Sequence, residues 1–458
     1  MDNDLIFDTS LTNSFSEISD KDKLLFIKRM KKEKLRLERL NNMSKLVKYA
    51  WMMISVLIIF SVLCGCDSTN NEKDGDTGKK VQHTGIPSIT AGKADQTPIQ
   101  TPTPTVTSFD NSKHVPKPDN LRAIYFSGWT AGTPERIKQV VELAKTTELN
   151  AVVIDVKDDR GYISYKSNVK EVIENGAIEV KYDVKKVIEE LHAGNVFVIA
   201  RLVCFKDPIL PKKHPELAYK KKDGSVWKDN DGNAWVNPFN KAAWEYNIKI
   251  ALEAIDLGFD GIQYDYVRFC NDGDIKSIYF GENFDHNKKS DAIAEFLKES
   301  YEEISTKRGI ELSADVFGIS AVATADDKII GQNWEKLAQH VDYLSPMVYP
   351  SHYATVLQNG VGQEINGVKF TKPDLEPYNV VYQTLLSGKN RLEKANIKVG
   401  VRAYLQAFTA PWIGKGYYQK YGTEQIKQQV KAVYDAGYTE WILWDPANKY
   451  PMDVFQKK

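Results

Sequence analysis

Gly258-Phe-Asp-Gly-Ile-Gln-Tyr-Asp-Tyr-Val-Arg-Phe269 decides how the chain reads, because it has the form of a core strand that ends in charge. Ile262, Tyr264 and Tyr266 share one face of a period-two pattern, Gln263 and Asp265 share the other, and Arg268 follows just beyond. A carboxylate on a buried strand is costly unless it is paired or used, so Asp265 marks a candidate site.

Working outward, short apolar runs alternate with amphipathic helical stretches from Leu121 to the C-terminus, which is the pattern of parallel βα units. The expected strands are Arg122 to Ser127, Ala151 to Lys157, Val196 to Val203, Gly261 to Tyr266, Leu312 to Phe317, Tyr343 to Tyr349, Lys398 to Gln406 and Trp441 to Asp445. Helices are expected at Pro134 to Thr147, Val184 to His192, Ala242 to Leu257, Asp291 to Arg308, Asn333 to Gln339, Pro377 to Ala395 and Thr423 to Ala436. Strands separated by helices in this number predict an α/β fold, a (β/α)₈ TIM barrel over residues 120–458. An open doubly wound sheet is the alternative, but no strand runs into a Gly-rich dinucleotide turn.

Charge balance, 61 basic against 61 acidic side chains, gives no reason to expect a nucleic-acid partner. The chain upstream of the barrel has its own logic. Tyr49 to Gly65 is the long apolar run, Lys45 and Lys48 precede it, and Leu63-Cys-Gly-Cys66 has the lipobox form of a bacterial lipoprotein signal. On this reading residues 43–66 are a signal peptide with Cys66 the lipidated residue; the alternative is an uncleaved transmembrane anchor. Residues 1–42 are a charged segment, either untranslated, with Met43 the true start, or cytoplasmic. Lys and Arg are dense between Lys21 and Lys48, and such flanks stay inside, so the barrel is expected to be membrane-anchored on the extracytoplasmic face. Residues 67–119, rich in Thr, Pro, Asn and Gly, are expected to be a disordered linker.

An insertion from Lys206 to Pro238 follows the third strand. Gly224 to Trp227 and Ala234 to Asn237 flank Asp229-Asn-Asp-Gly-Asn233, which reads as a β-hairpin with Trp227 and Trp235 on its arms, available to stack on a sugar. Asp229, Asp231 and Asn233 have the spacing that opens a calcium loop, yet Ala234 stands where Gly is required and the distal Glu is missing. The stretch is expected to be a turn.

Polar residues at the C-terminal ends of parallel strands are informative because such strands are otherwise continuously apolar. Period-two counting groups Asp155 with Lys157, Gln263 with Asp265, Ser313 with Asp315, and Arg402 with Tyr404 and Gln406, while Arg201 interrupts the third strand. Asp155, Lys157, Arg201, Asp265, Arg268, Asp315, Arg402 and Gln406 are therefore expected to gather at one mouth. Two carboxyl groups beside a sugar ring suffice for glycoside hydrolysis, one protonating the leaving oxygen and the other attacking or activating water. Asp265 is assigned as nucleophile or base and Asp315 as acid, with Asp155 as substitute for either. Substrate contacts are expected from Lys157, Arg201, Trp227, Trp235, Gln263, Arg268, Tyr349, His352, Arg402, Gln406 and Trp444. Cys204 and Cys270, just past neighbouring strands, are expected to pair as a disulfide. No metal-ligand cluster, Ser-His-Asp order or phosphate loop stands out, so neither metal nor cofactor is expected.

These residues carry a resemblance. Gly258 to Phe269, Leu312-Ser-Ala-Asp-Val-Phe-Gly318, Tyr343-Leu-Ser-Pro-Met-Val-Tyr-Pro-Ser-His-Tyr353 and Trp441-Ile-Leu-Trp-Asp-Pro-Ala-Asn448 are similar, as a set, to a bacterial glycosyl hydrolase domain family formerly a domain of unknown function. The resemblance implies a TIM barrel acting on glycosidic bonds. A weaker one is to chitinase-like barrels: Asp260, Gly261 and Asp265 match their fourth-strand motif, Met347-Val-Tyr349 looks like their sixth-strand Met-x-Tyr, and Trp444 falls where their eighth-strand Trp floors the sugar. Gln263 replaces the first inner Asp of that motif, and Val267 occupies the place of its catalytic Glu, so its substrate-assisted mechanism is not supported. The expectation is an extracytoplasmic glycoside hydrolase whose partner is a cell-envelope or environmental polysaccharide or oligosaccharide. The competing class is a non-catalytic glycan-binding or envelope-organising barrel.

Overall fold

The computed structural model describes residues 111–324, 327–353 and 363–458. The charged segment, the apolar run, Cys66 and nearly all of the linker lie outside the described residues, so the anchor readings fall there too. No helix among the described residues is long and apolar enough to cross a membrane.

The barrel strands are β1 (Arg122–Phe126), β2 (Ala151–Lys157), β3 (Phe197–Val203), β4 (Gly261–Asp265), β5 (Glu311–Phe317) and β6 (Tyr343–Val348), then β9 (Gly400–Val401), β10 (Ala403–Gln406) and β11 (Trp441–Trp444). β9 and β10 are two halves of one stave broken at Arg402, and all neighbours pair in parallel around a closed ring in the order β1 to β6, β9/β10, β11 and back to β1. That closure makes eight staves. Most strands fall within a residue or two of their expected ends. β7 (Gln363–Ile365) and β8 (Val368–Phe370) form an antiparallel hairpin in the connection after β6. Its turn, Asn366-Gly367, takes positive φ at both positions, as the dipeptide favours.

The connecting helices are α1 (Pro134–Thr146), α2 (Val184–Ala193), α3 (Lys241–Asp256), α4 (Lys288–Tyr301), α5 (Trp334–Ala338), α6 (Pro377–Lys394) and α7 (Thr423–Asp435). Their starts are set by local chemistry. Pro134 and Pro377 occupy first helical positions, while the side chains of Asp183, Asn240 and Asn333 accept backbone N–H groups of α2, α3 and α5.

Period-two alternation divides the apolar residues into two cores. Ala123, Tyr125, Val153, Phe197, Ile199, Tyr404 and Ile442 fill the barrel interior. Ile124, Val152, Ile154, Val198, Leu202, Leu312, Leu344 and Leu443 face outward under the helices. The interior is therefore a packed core with a floor, on which a site can be built only at the ends.

At the N-terminal end Arg402 closes the floor. Its guanidinium donates to both carboxylate oxygens of Glu311, at 2.7 and 3.1 Å, and to Glu440 at 2.8 Å, with Tyr343 lying against it. Residues 113–117, expected to belong to a disordered linker, instead bind under this end. The Val115 N–H donates to Asp260 Oδ1 at 2.8 Å, and Lys117 reaches the Tyr343 hydroxyl and Glu440.

The insertion also departs from expectation. The segment around Tyr219 lies between the two expected hairpin arms, since Trp227 N–H donates to Tyr219 O and Tyr219 N–H donates to Trp235 O. Asp229 Oδ1 accepts the N–H groups of Asp231 and Asn233, which makes the central stretch the expected turn, while Oδ2 takes the Trp235 indole N–H.

Candidate active site

Strand register brings the charged ends together. Asp155 pairs with Arg201, and Arg201 with Gln263; further round, Gln263 pairs with Ser313 and Tyr264 with Ala314. Asp265 and Asp315 thus stand one step further along adjacent strands, at the same height and on the inward face.

Arg201 links the carboxylates. Its Nη1 donates to Asp155 Oδ1 at 2.5 Å, while Nε, at 3.0 Å, and Nη2 both reach Asp265 Oδ2. Each carboxylate takes a further donor: the Tyr125 hydroxyl gives to Asp155 Oδ2 at 2.6 Å, and the Tyr266 N–H gives to Asp265 Oδ1 at 2.6 Å. That last bond requires the backbone to bend sharply. Tyr266 adopts φ 49°, a left-handed conformation that costs a residue with a bulky side chain about 1–3 kcal/mol. Strain of this kind at the end of a barrel strand is characteristic of functional sites.

Asp315 differs from the other two. It is only 1% exposed, and its Oδ1 has no hydrogen-bond partner. Burial, reinforced by the neighbouring Asp265 charge, pushes its carboxyl well above the ordinary range, so it holds a proton where free carboxyls have lost theirs. Burial also raises Asp155, against the pull of Arg201. The layer thus holds a carboxylate ion-paired to Arg201 beside a buried carboxyl whose proton is held more tightly than usual, the contrast that acid/base chemistry uses.

Aromatic rings form the wall across from these groups. Trp444 stacks on Tyr349 at 5.6 Å and on Tyr125 at 6.2 Å, and the ring of exposed His352 stands edge-on to Tyr349 at 4.9 Å. Arg268 lies just under the rim, its guanidinium against the rings of Tyr266, Phe317 and Trp235, with Nη1 donating to Phe269 O and Asn271 Oδ1.

Of the residues expected to touch substrate, Arg201, Tyr349, His352 and Trp444 do gather at the mouth, with Arg268 close beneath it. The others are placed elsewhere. A bulge between Asp155 and Lys157 turns Lys157 outward, where its Nζ pairs with Asp207 at 2.8 Å and donates to Asn247 at 3.0 Å. Arg402 faces inward as expected, but at the opposite end of the barrel. Gln263 lies below the carboxylates, donating to Ser345 and accepting from the Tyr404 hydroxyl, with no exposed surface. Gln406 is fully buried and committed to Ser351, Asp374 and Phe408 O. Trp227 and Trp235 are buried core of the insertion, 1% and 2% exposed, so they offer no stacking face. Cys204 and Cys270 are separate buried thiols, which corrects the expected disulfide.

Tyr125 escaped the sequence reading, although the same period-two count on β1 puts it inward at the strand end. No group of His, Cys, Asp and Glu suited to hold a metal occurs among the described residues.

A closed parallel barrel with paired carboxyls at its C-terminal strand ends defines the domain as a TIM barrel of the kind that glycoside hydrolases use. The family model described as "Putative glycosyl hydrolase domain" matches residues 123–450, and the chain belongs to that family. Among solved structures it is similar to a hypothetical protein from Ruminiclostridium thermocellum ATCC 27405, at 48% identity over 42% of this chain and 97% of that one, with TM-score 0.39. It is also similar to the PgaB (BpsB) glycoside hydrolase domain from Bordetella bronchiseptica, at 13% identity over 74% of this chain and 99% of that one, with TM-score 0.52. A third is the spore cortex-lytic enzyme SleL of Bacillus megaterium QM B1551, at 10% identity over 74% of each chain, with TM-score 0.42. No curated protein matches at a significant level. The second likeness supports the fold.

Proposed function

We propose that this protein is an extracytoplasmic, membrane-anchored glycoside hydrolase that cleaves a cell-envelope or environmental polysaccharide, with Asp265 as nucleophile or base and Asp315 as general acid. The observation that carries the mechanism is the contrast between the two carboxyls: Asp265 is ion-paired with Arg201, and Asp315 is buried, held well above the ordinary carboxyl range and without a hydrogen-bond partner at Oδ1. Protonation of the leaving oxygen requires a carboxyl that still has its proton at working pH, and burial supplies it. Asp155 and Asp265 both have their two oxygens hydrogen-bonded, and Asp265 is preferred because it stands beside Asp315 on the adjacent strand, with Asp155 as substitute. The Arg201 guanidinium keeps Asp265 fixed, and the partly exposed Trp444, backed by the buried Tyr349 ring, offers an apolar face for the sugar. The location rests on the Lys- and Arg-rich flank and the lipobox ending in Cys66.

The competing reading, a barrel that only binds glycan, has Asp265 locked by Arg201 in its favour, but it leaves the buried Asp315 carboxyl without a purpose. Asp265→Asn and Asp315→Asn should each abolish turnover of a cognate glycan while circular dichroism and urea melts show a folded protein. Full activity in both variants would refute the assignment, and glycan binding with no turnover by the wild type would favour the binding reading.

A further inference from the structure

Trp412 is 66% exposed, on the short turn Pro411–Ile413 that follows the seventh stave. An indole left so open costs apolar hydration, but this ring is not adrift. It stacks nearly parallel to Phe408, with centroids 5.8 Å apart and planes 13° apart, so one face is fixed and the other is presented to solvent. Phe408 in turn stands edge-on to Trp444 at 5.3 Å and to Tyr349 at 5.6 Å. The same Trp444 stacks on Tyr125, whose hydroxyl donates to Asp155. Aromatic contacts therefore run without a break from the carboxylate layer to the outer rim. Beside Phe408, a groove of about 520 Å³ opens between the loops after β10 and β11, lined by Ala407, Thr409, Asp445, Lys449 and Tyr450 among others.

We infer that this ledge is a distal sugar-binding subsite, with Trp412 as its platform, and that the substrate is an extended chain several residues long. The inference rests on the glycoside hydrolase reading above. A pyranose ring has an apolar face that packs flat on an indole, while its hydroxyls stay in water or reach polar side chains of the neighbouring groove such as Lys449. Trp412 is the outer end of the ring series Trp444, Phe408, Trp412, with centroid spacings of 5.3 and 5.8 Å. The occupant is thus continuous with the sugar bound at the carboxylates. A monosaccharide or a short aryl glycoside would not reach Trp412.

The test uses the full chain carrying Asp265→Asn, which binds without consuming its ligand. Calorimetry compares maltohexaose, xylohexaose and the N-acetylglucosamine hexamer with the corresponding trimers, and repeats the series with Trp412→Ala and Trp412→Phe added. The expected result is a hexamer that binds more tightly than its trimer, with that preference weakened about tenfold by Trp412→Ala and largely kept by Trp412→Phe. Trimer affinity should not change. Hexamer binding that is indifferent to Trp412→Ala overturns the subsite while leaving the hydrolase reading in place. Failure of all three hexamers to bind counts against both.

Discussion

Asp315→Asn should change how the stability of this barrel responds to pH. In the folded chain, burial and then the Asp265 charge hold the Asp315 carboxyl well above its ordinary value of 3.8, whereas in the unfolded chain it titrates near that ordinary value, at about 3.9. Between the two values the native state keeps a proton that the unfolded state has released, so stability falls as pH rises across that window. The contribution is fully present below the unfolded value and gone above the folded one. Each pH unit inside the window is worth up to about 1.4 kcal/mol for a single proton. Asn has nearly the same volume and does not titrate, so it lacks the slope. Urea melts of the wild type and Asp315→Asn, taken at half-unit steps from about pH 4 to 8, isolate the effect as a difference. Asp155, also raised by burial, is present in both proteins and largely cancels. The wild type should lose stability relative to the variant as pH rises, with a slope approaching one proton. A difference that stays flat over the whole range would show that Asp315 titrates as a free carboxyl, and the acid role would lose its physical basis.

Two further outcomes follow from the same geometry. Lys157→Met should destabilise the fold by about 3–5 kcal/mol, because Asp207 is left buried and unpaired; urea melts would show the loss, and an unchanged KM would confirm that Lys157 does not touch substrate. Tyr125→Phe removes the hydroxyl from Asp155 Oδ2 and should cost about 1.5–3 kcal/mol, the worth of a hydrogen bond to a charged group. A stability loss below about 0.5 kcal/mol in that variant would contradict the hydrogen bond from Tyr125 to Asp155.

Asp155, Asp265 and Asp315 were legible in the sequence because an apolar strand makes each inward polar residue conspicuous, and alternation then gives its face. Alternation does not give height along the barrel axis. Arg402 faces inward, as counting predicts, but it sits at the start of its stave among Glu311 and Glu440, so the right face carried the wrong end. Counting also assumes an unbroken strand. A single bulge between Asp155 and Lys157 sends the lysine into the outer core, and no local residue pattern announces it. The insertion tryptophans were misread for a different reason. Trp227 and Trp235 have the composition of a sugar platform, but a loop of that length needs its own small core, and these indoles supply it. Trp412, in contrast, lies in a loop without periodicity, and only the packing of Phe408 beneath it shows which ring is held ready.

The plugged floor has a kinetic consequence. Below the carboxyls, Gln263, Tyr404 and Ser345 are bonded to one another, apolar side chains fill the tube beneath them, and Arg402 with its two glutamates and Lys117 seals the far end. Traffic is therefore two-way through a single doorway. On the proposed hydrolase reading, substrate and product share the C-terminal face of the barrel, and no chain can be threaded through the tube and out behind.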